Sequence, residues 1–527
     1  MQGYLSIILH AHLPFVRHPE HPRFLEESWL FEAITETYLP LLHVLEGWQR
    51  DQVDAHLTLS LSPTLCAMLG DELLRGRYER HLNGLVDLAE KEIHRTHWDR
   101  SYRELAWMYH HKFCLARDTW RRHGGNLIVP FRQMQEQGRL EIITTAATHG
   151  LLPLMSGHAP SLRGQILTAR DHYSACFGRE PRGIWLPECA YVEQVEPILQ
   201  EANIRWFVLD THGLLHARPR ARFGTFAPIF TPHGLAAFGR DFDSSRQVWS
   251  KHEGYPGDPR YRDFYRDIGF DLDFDYVREH LPSPDNRGFT GMKYYRITGG
   301  AGRKEIYQRD HALQAASEHA SHFLGERMGQ LRKLEGILDR PPIIVAPYDA
   351  ELFGHWWYEG PEFLDFLARK AVQEQPGLKL ATPGEYLHRH PTNQVATPGA
   401  SSWGEEGYWR VWLNETNEWI YPHLQIAQDR MSQLAKKHGG RKNVSDLQNR
   451  ALKQAARELL LAQASDWPFI LRAGTCPEYA RRRVKDHLLR FIALHEQLSL
   501  TQLDEAWLSG IESRDNLFPD VDWRYWQ

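Results

Sequence analysis

The chain has 527 residues, which is more than a single hydrophobic core usually contains, so its length predicts two or three structural units. Its net charge is −5 and its basic residues are scattered, which argues against nucleic acid as the main partner. No apolar run approaches the length of a membrane span, and the 5 cysteines are too few and too widely spaced for a disulfide framework. We therefore expect a cytoplasmic protein with no membrane partner.

Strand and helix patterns alternate from the N-terminus to about residue 398. Seven short apolar segments are predicted strands: 5–9, 56–61, 141–145, 183–187, 205–209, 342–346 and 378–382. Most of them end in polar or aromatic residues, as the strands of a barrel do at its catalytic face. Seven parallel strands with helices between them indicate an α/β barrel.

Three stretches interrupt this alternation. Residues about 70–137 are predicted to be a helical insertion, because they are too long and too helical for a connection. Residues about 228–300 show little periodicity and predict long loops over the catalytic face. Residues 399–527 have amphipathic helical spacing and predict an α-helical C-terminal domain, beside a catalytic domain over residues 1–398.

Two segments, 184–191 and 343–357, each place a carboxylate at the end of a buried strand pattern. The carboxylates are Glu188 and Asp349, and flat aromatic side chains that can stack on sugar rings surround both. Either carboxylate alone could be a helix cap or an ion-pair partner. Two of them in this setting indicate the paired acid and nucleophile of a glycosidase or transglycosidase.

Five motifs in this order resemble the glycoside hydrolase family 57 α-glucan branching enzymes. They lie at residues 10–14, 148–150, 185–191, 347–356 and 402–419, so the resemblance covers nearly the whole chain. It implies an incomplete (β/α)7 barrel with a helical insertion and a helical C-terminal domain. It also implies retaining transglycosylation, which cleaves an α-1,4-glucan and rejoins the piece through an α-1,6 link, with Glu188 as nucleophile and Asp349 as acid/base.

The same resemblance implies a set of substrate contacts and no cofactor. The implied contacts are His10, His12, His149, Trp185, Arg266, Gly291, Trp356, Trp403, Trp412, Asp466 and Trp467. His10 and His12 could alternatively bind a metal, as in deacetylase-type barrels, but the first strand supplies no Asp, so we expect no metal. The tryptophans after residue 400 could alternatively form an apolar seam between domains, and Arg266 could belong to a surface ion pair.

The sequence differs from the family pattern in one loop. In these branching enzymes a flexible loop over the cleft carries a tyrosine. The corresponding residues here, 230–243, contain no Tyr, although Phe230, His233 or Phe238 could substitute. We therefore expect α-1,6 branching with a hydrolytic side reaction. An α-amylase-like hydrolase, a metal-dependent carbohydrate deacetylase and a non-catalytic glucan-binding protein remain as alternatives.

Overall fold

The computed structural model describes residues 3–250, 253–298, 303–440 and 444–527. Residues 251–252 and 299–300 of the predicted loops, and 441–443 of the predicted C-terminal domain, lie outside the described residues. The strands are β1 (Gly3–Ala11), β2 (Leu57–Leu61), β3 (Leu140–Ile143), β4 (Gly183–Ile184), β5 (Trp206–Leu209), β6 (Ile229–Phe230), β7 (Ala236–Gly239), β8 (Ile343–Asp349) and β9 (Leu378–Leu380).

The strands form two mostly parallel sheets. One has the order β3-β2-β1-β8, with β9 paired to the start of β1, and the other has the order β4-β5-β7-β6. Only the β6–β7 pair is antiparallel among the described strand pairs. β2 and β5 are buried along their whole length, as expected for parallel strands covered on both faces. The chain therefore has an α/β fold.

The two sheets contact each other at two places. Thr144, just after β3, forms a parallel bridge with Ile184 of β4. At the second place, the N–H of Asp241, just after β7, donates to the backbone oxygen of Val345 in β8 (2.8 Å). A parallel bridge and a single backbone hydrogen bond thus join the two sheets, and the carboxyl ends of their parallel strands lie on the same side.

Each of the seven predicted segments overlaps an observed strand, but β6 and β7 were not predicted. Residues 228–300 were expected to be loops, whereas 229–230 and 236–239 form a hairpin whose second strand pairs in parallel with β5. The sequence of β7, Ala236–Gly239, is short and rich in small residues, and Gly234 precedes it with φ 80°. A four-residue strand of this composition gives no detectable alternation.

Helices surround the sheets and form the C-terminal part of the chain. Up to residue 389 they are α1 (Glu27–Ala33), α2 (Leu39–Arg50), α3 (Pro63–Gly70), α4 (Glu72–Arg95), α5 (Arg100–Arg122), α6 (Ile128–Glu136), α7 (Ala159–Phe177), α8 (Glu196–Glu201), α9 (Thr211–Leu215), α10 (Phe242–Trp249), α11 (Ile268–Asp271), α12 (Phe274–Val277), α13 (Arg309–Lys333), α14 (Gly360–Glu374) and α15 (Pro383–Arg389). Beyond it they are α16 (Ile420–Gly439), α17 (Asp446–Ala462), α18 (Asp466–Ala473), α19 (Pro477–Leu500) and α20 (Glu505–Arg514). No helix in the described ranges is long and apolar enough to cross a membrane.

The C-terminal helices pack directly on α7 and on the loop after β3. A Cβ atom at Gly164 of α7 would lie 2.2 Å from the ring of Trp526, so only glycine allows this approach. Gln165 donates from Nε2 to the side-chain oxygen of Gln463 (3.0 Å), and the Thr148 hydroxyl donates to the backbone oxygen of Leu460. These contacts bring residues 460–467 to the carboxyl ends of the strands.

Gly354, which follows β8, is predicted to be indispensable for stability. Its φ is +116°, and an added Cβ would lie 1.8 Å from the backbone oxygen of Glu36, which no side-chain movement can relieve. We expect Gly354→Ala to destabilise the fold by at least about 2 kcal/mol, seen as a lower Tm in thermal unfolding. Gly325→Ala in α13 is the matched control, because nothing lies within 4 Å of the added atom. Equal Tm values for the two variants would contradict this account.

Candidate active site

Both predicted catalytic carboxylates lie at the carboxyl ends of parallel strands. Asp349 is the last residue of β8 and is the register partner of His10 in β1. Glu188 follows β4 by a few residues, in a short 3-10 turn over Pro187–Cys189. This placement agrees with the prediction that both side chains lie at the carboxyl ends of strands.

The backbone at Glu188 is held in a left-handed conformation. Its φ is 61°, and Cys189 follows with φ 49°, in a region that costs a non-glycine residue about 1 kcal/mol or more. Trp403 restrains this conformation at two points, since its N–H donates to the Glu188 backbone oxygen (3.1 Å) and its indole Nε1–H donates to Oε2 (2.9 Å). The strained backbone and its contacts with Trp403 therefore fix the direction of the Glu188 carboxylate.

Hydrogen-bond donors reach both oxygens of Glu188. Ser465, just before α18, donates from its hydroxyl to Oε1 (2.9 Å), while Trp403 holds Oε2. Burial raises the pKa of Glu188 to about 7, and these two donors together with His12 act in the opposite direction by favouring the charged form. The two hydrogen bonds thus offset part of the cost of burying the Glu188 carboxylate as an anion.

Asp349 has a contrasting environment. Burial raises the pKa of its carboxyl well above the ordinary value, and the neighbouring carboxylates of Glu351 and Glu188 raise it further, against a smaller opposing effect of Arg240. Glu351 is itself buried and accepts a hydrogen bond from the Tyr38 hydroxyl. Because ionised Glu188 favours the neutral form of Asp349, the two groups are suited to opposite roles, anion and acid.

His10 and His149 are engaged with each other and with two serines. Their Nε2 atoms lie 2.9 Å apart, His10 Nδ1 lies 3.0 Å from Ser60 Oγ, and His149 Nδ1 lies 2.8 Å from Ser465 Oγ. Burial lowers the pKa of both histidines well below the ordinary value, so each is neutral with one ring N–H. His149 also has a left-handed backbone, with φ 57°.

Both ring nitrogens of His12 also have side-chain partners. Its Nδ1 lies 2.9 Å from Ser62 Oγ and its Nε2 lies 3.1 Å from Asp466 Oδ2. The ring stacks on that of His149 at 4.0 Å. All six ring nitrogens of the three predicted histidines therefore have protein partners, and their contact with sugar hydroxyls stays a prediction.

The predicted aromatic contacts divide into exposed and buried groups. Trp356 is 47% exposed and lies 6.0 Å from Trp249 of α10, which is 41% exposed. Trp403 is half-buried. The buried group is Trp185, Trp412 and Trp467, with exposures of 0–1%. Trp412 packs with the loops that carry His149 and Glu188, as the apolar-seam alternative proposes, so sugar contact by this buried group stays a prediction.

Arg266 and Gly291 lie outside the group around Glu188. The Arg266 guanidinium pairs with Asp271 at 3.0 Å on the surface, which is the arrangement that the ion-pair alternative describes. Gly291 has φ 81°, and its N–H donates to Asp267 Oδ2 (2.9 Å). Their role as substrate contacts stays a prediction.

Residues 230–243, predicted to be one loop over the cleft, instead contain the end of β6, the strand β7 and the start of α10. The turn between β6 and β7 precedes β7, and β7 runs parallel to β5, so this turn lies at the amino ends of the strands. Glu188 and Asp349 lie at the opposite, carboxyl ends. The turn near Gly234 therefore does not cover the catalytic carboxylates, whereas Arg240, just after β7, lies over the Trp403 ring at 5.9 Å. The hydrolytic side reaction stays a prediction.

A group of three potential metal ligands occurs elsewhere in the described part of the chain. Glu458, His487 and Asp515 are buried among the C-terminal helices, with ligand atoms within 4.8 Å of one another. His487 Nδ1 already lies 2.7 Å from Glu458 Oε2, and Arg490 donates to Asp515 (2.6 Å). The positive charge beside Asp515 is thus the guanidinium of Arg490. The expectation that the active site needs no metal stays a prediction.

Comparison with known proteins identifies the family. Residues 6–398 match the model described as glycosyl hydrolase family 57. The chain belongs to glycosyl hydrolase family 57. Residues 423–526 match a second model, described as the C-terminal region of 1,4-alpha-glucan branching enzyme.

Three similar proteins extend the family assignment. A curated 1,4-alpha-glucan branching enzyme of Thermococcus kodakarensis is 34% identical, over 99% of this chain and 78% of that protein. The structure of the alpha-amylase AmyC from Thermotoga maritima has a TM-score of 0.93 and 43% identity, covering 100% of this chain and 99% of the other. That of the family 57 branching enzyme from Pyrococcus horikoshii has a TM-score of 0.89 and 34% identity, covering 100% and 97%.

Several residues of this family 57 site were not predicted from the sequence. Ser465 contacts Glu188, Arg240 lies over the Trp403 ring at 5.9 Å, and Trp249 pairs with Trp356. Asp466 was predicted to be a substrate contact. Ser465 is its neighbour in the sequence, and this proximity could have indicated that Ser465 lies in the site. Arg240 directly follows the unpredicted strand β7, and Trp249 is the last residue of α10, so both lay in a region that was predicted to be loops.

Asp349→Asn is predicted to stabilise the folded protein in a pH-dependent way. Because the pKa of Asp349 is raised, the folded chain keeps a proton that the unfolded chain releases above the ordinary value of 3.8. The free energy of unfolding therefore falls as pH rises above that value, and the substitution removes this loss. We expect its Tm to exceed that of wild type by about 2 °C or more near pH 8, with a smaller gain near pH 5. A gain that is independent of pH, or a loss near pH 8, would contradict the assignment.

Proposed function

We propose that this protein is a 1,4-α-glucan branching enzyme that acts by retaining transglycosylation, with α-1,4-glucan as donor and acceptor. The observation that carries the proposal is the contact between Ser465 and Glu188. Ser465 lies in the region that matches the branching-enzyme C-terminal model, and Glu188 lies in the region that matches the family 57 model. The region typical of branching enzymes therefore contributes directly to the catalytic group.

The proposed chemistry follows from the two contrasting carboxylates. Ionised Glu188 attacks the anomeric carbon, and neutral Asp349 gives its proton to the leaving glycosidic oxygen. The glucan piece is then bound covalently to Glu188. Asp349, now ionised, takes the proton from the 6-hydroxyl of an acceptor chain, whose oxygen displaces Glu188 and forms the α-1,6 link.

We propose an incomplete (β/α)7 barrel made of β1, β2, β3, β4, β5, β7 and β8 as the catalytic architecture. The parallel pairings within the two sheets support this closure, as do the contacts that join the sheets at Thr144 and Asp241. The proposed domains are 1–398, with a helical insertion at 70–137 and active-site loops within 228–300, and 399–527 as an α-helical domain that contributes to the glucan groove. β9 pairs with β1 outside this ring.

The exposed aromatic residues are the proposed platform for glucan. Trp249 and Trp356 present a pair of flat faces to solvent, and Trp403 lies directly beside Glu188. Such faces stack on the apolar side of a pyranose ring. Asp466 and Trp467 would act closer to the acceptor. We place the enzyme in the cytoplasm, which its five free cysteines support.

An α-amylase-like retaining hydrolase is the second candidate. The 43% identity to the alpha-amylase AmyC favours it, because a glycosyl-enzyme that reacts with water instead of an acceptor hydroxyl gives hydrolysis from the same two carboxylates. A difference of about 1.4 kcal/mol between the two barriers changes the product ratio tenfold. We therefore propose branching accompanied by a hydrolytic side reaction.

Counting two products from amylose tests this proposal. We expect new α-1,6 links to exceed new reducing ends, with both above the values for enzyme-free amylose. The links would be counted by debranching and chain-length analysis, and the ends by a reducing-sugar assay. New reducing ends without α-1,6 links would establish the hydrolase instead. Absence of both products would leave a glucan-binding protein or a deacetylase.

Glu188→Gln and Asp349→Asn should separate the two catalytic roles. Glu188→Gln removes the nucleophile, so we expect at least about a 10³-fold loss of turnover on every substrate, with amylose binding retained. Asp349→Asn should lose activity on amylose but keep a measurable first step on a maltosyl donor with a good leaving group, which needs no protonation. Glu193→Gln, at an exposed position five residues after Glu188, is the matched control. Equal losses on both substrates in Asp349→Asn would exclude it as the acid.

A further inference from the structure

We infer that Ser465 is a positioning residue for the nucleophile, joining Glu188 to a chain of hydrogen bonds through His149 and His10 that ends at Ser60. This inference rests on the proposed nucleophilic role of Glu188. It assigns to the C-terminal part of the chain a direct effect on the catalytic carboxylate, and it gives His10 and His149 a function other than sugar contact.

The direction of the chain follows from counting protons. The Ser465 hydroxyl has one hydrogen, which it donates to Glu188 Oε1 (2.9 Å). Its oxygen therefore accepts from His149 at 2.8 Å, so Nδ1 of that histidine carries the ring proton. The other nitrogen of His149, Nε2, is then a bare acceptor.

The same count continues through His10. Its Nε2–H donates to His149 Nε2 (2.9 Å), which leaves Nδ1 to accept from the Ser60 hydroxyl (3.0 Å). Both imidazoles must be neutral for this, and both are buried, which disfavours a charged ring. All four hydrogen bonds consequently point toward the Glu188 carboxylate, and bonds aligned in this way strengthen one another.

Other charged groups also act on Glu188, and none of them replaces this donor. His149 Nδ1 lies 3.6 Å from Oε1, while Asp466, His12 and Asp349 interact with the carboxylate electrostatically. Trp403 donates to the other oxygen, Oε2. Ser465 is therefore the donor whose loss would leave Oε1 of a desolvated anion without its hydrogen bond, which favours protonation of Glu188.

The pH profile of kcat/KM is the test, because its acidic limb reports the pKa of the nucleophile in the free enzyme. We expect Ser465→Ala to move that limb upward by about one pH unit and to lower activity at neutral pH about tenfold. Ser465→Thr keeps the hydroxyl and should restore the wild-type limb. Ser465→Cys, a weaker donor, should lie between them, and comparing Cys with Thr tests the inference even if the Ala variant does not fold.

If Ser465 had only a structural role, its replacement would change Tm and the amount of active enzyme. It would not move the acidic limb of the kcat/KM profile. Ser432→Ala is the matched control, since this buried serine of α16 lies 3.3 Å from the ring nitrogen Nε2 of His158 and outside the chain of hydrogen bonds. An unshifted limb in Ser465→Ala, in an enzyme that Glu188→Gln inactivates, would overturn the inference while leaving the proposed function intact. Activity that survives in Glu188→Gln would overturn the proposed function itself.

Discussion

Desolvation of Glu188 is the constraint on which the rest of the active site depends. A buried carboxylate is costly unless donors replace its hydration, and here the donors come from two distant parts of the chain, Trp403 and Ser465. The strained backbone at Glu188 and the packing of α7 against the C-terminal residues both serve to bring these donors into place. Asp349 has the complementary environment, because the carboxylates of Glu351 and Glu188 lie near it and raise its pKa. The different surroundings of the two groups therefore suit one to be the nucleophile and the other the acid.

The sequence predicted the features that repeat or that follow strand ends. Each expected strand exists, and Glu188 and Asp349 lie where strands were predicted to end, because buried parallel strands have a strong apolar signature. β7 was missed because Ala236–Gly239 is short and composed of small residues, and its burial depends on partners far away in the sequence. Because β7 was missed, the turn at Gly234 was predicted to lie over the cleft. The direction of β7 instead places this turn at the amino ends of the strands.

The histidines show a second limit of sequence reasoning. A His-x-His motif at a strand end predicts polar side chains at the catalytic edge, and they are there, but residue type does not reveal which ring nitrogens remain free. In the folded chain His10, His12 and His149 are bound by serines, by one another and by Asp466, a residue more than 450 positions away from His12. Trp412 and Trp467 illustrate the same limit, because an aromatic residue in a loop-like sequence can be either a sugar platform or an interior packing residue.

The central claim is that Glu188 forms a covalent bond with the glucan. The most direct test is to trap that species in the Asp349→Asn variant with an activated fluorinated glucosyl donor, digest the protein and locate the added mass by peptide sequencing. The account predicts one added sugar per chain, bound to Glu188 and absent when that residue is replaced by Gln. Labelling of Glu351 or another carboxylate, or turnover of the donor with no trapped species on Glu188, would contradict it.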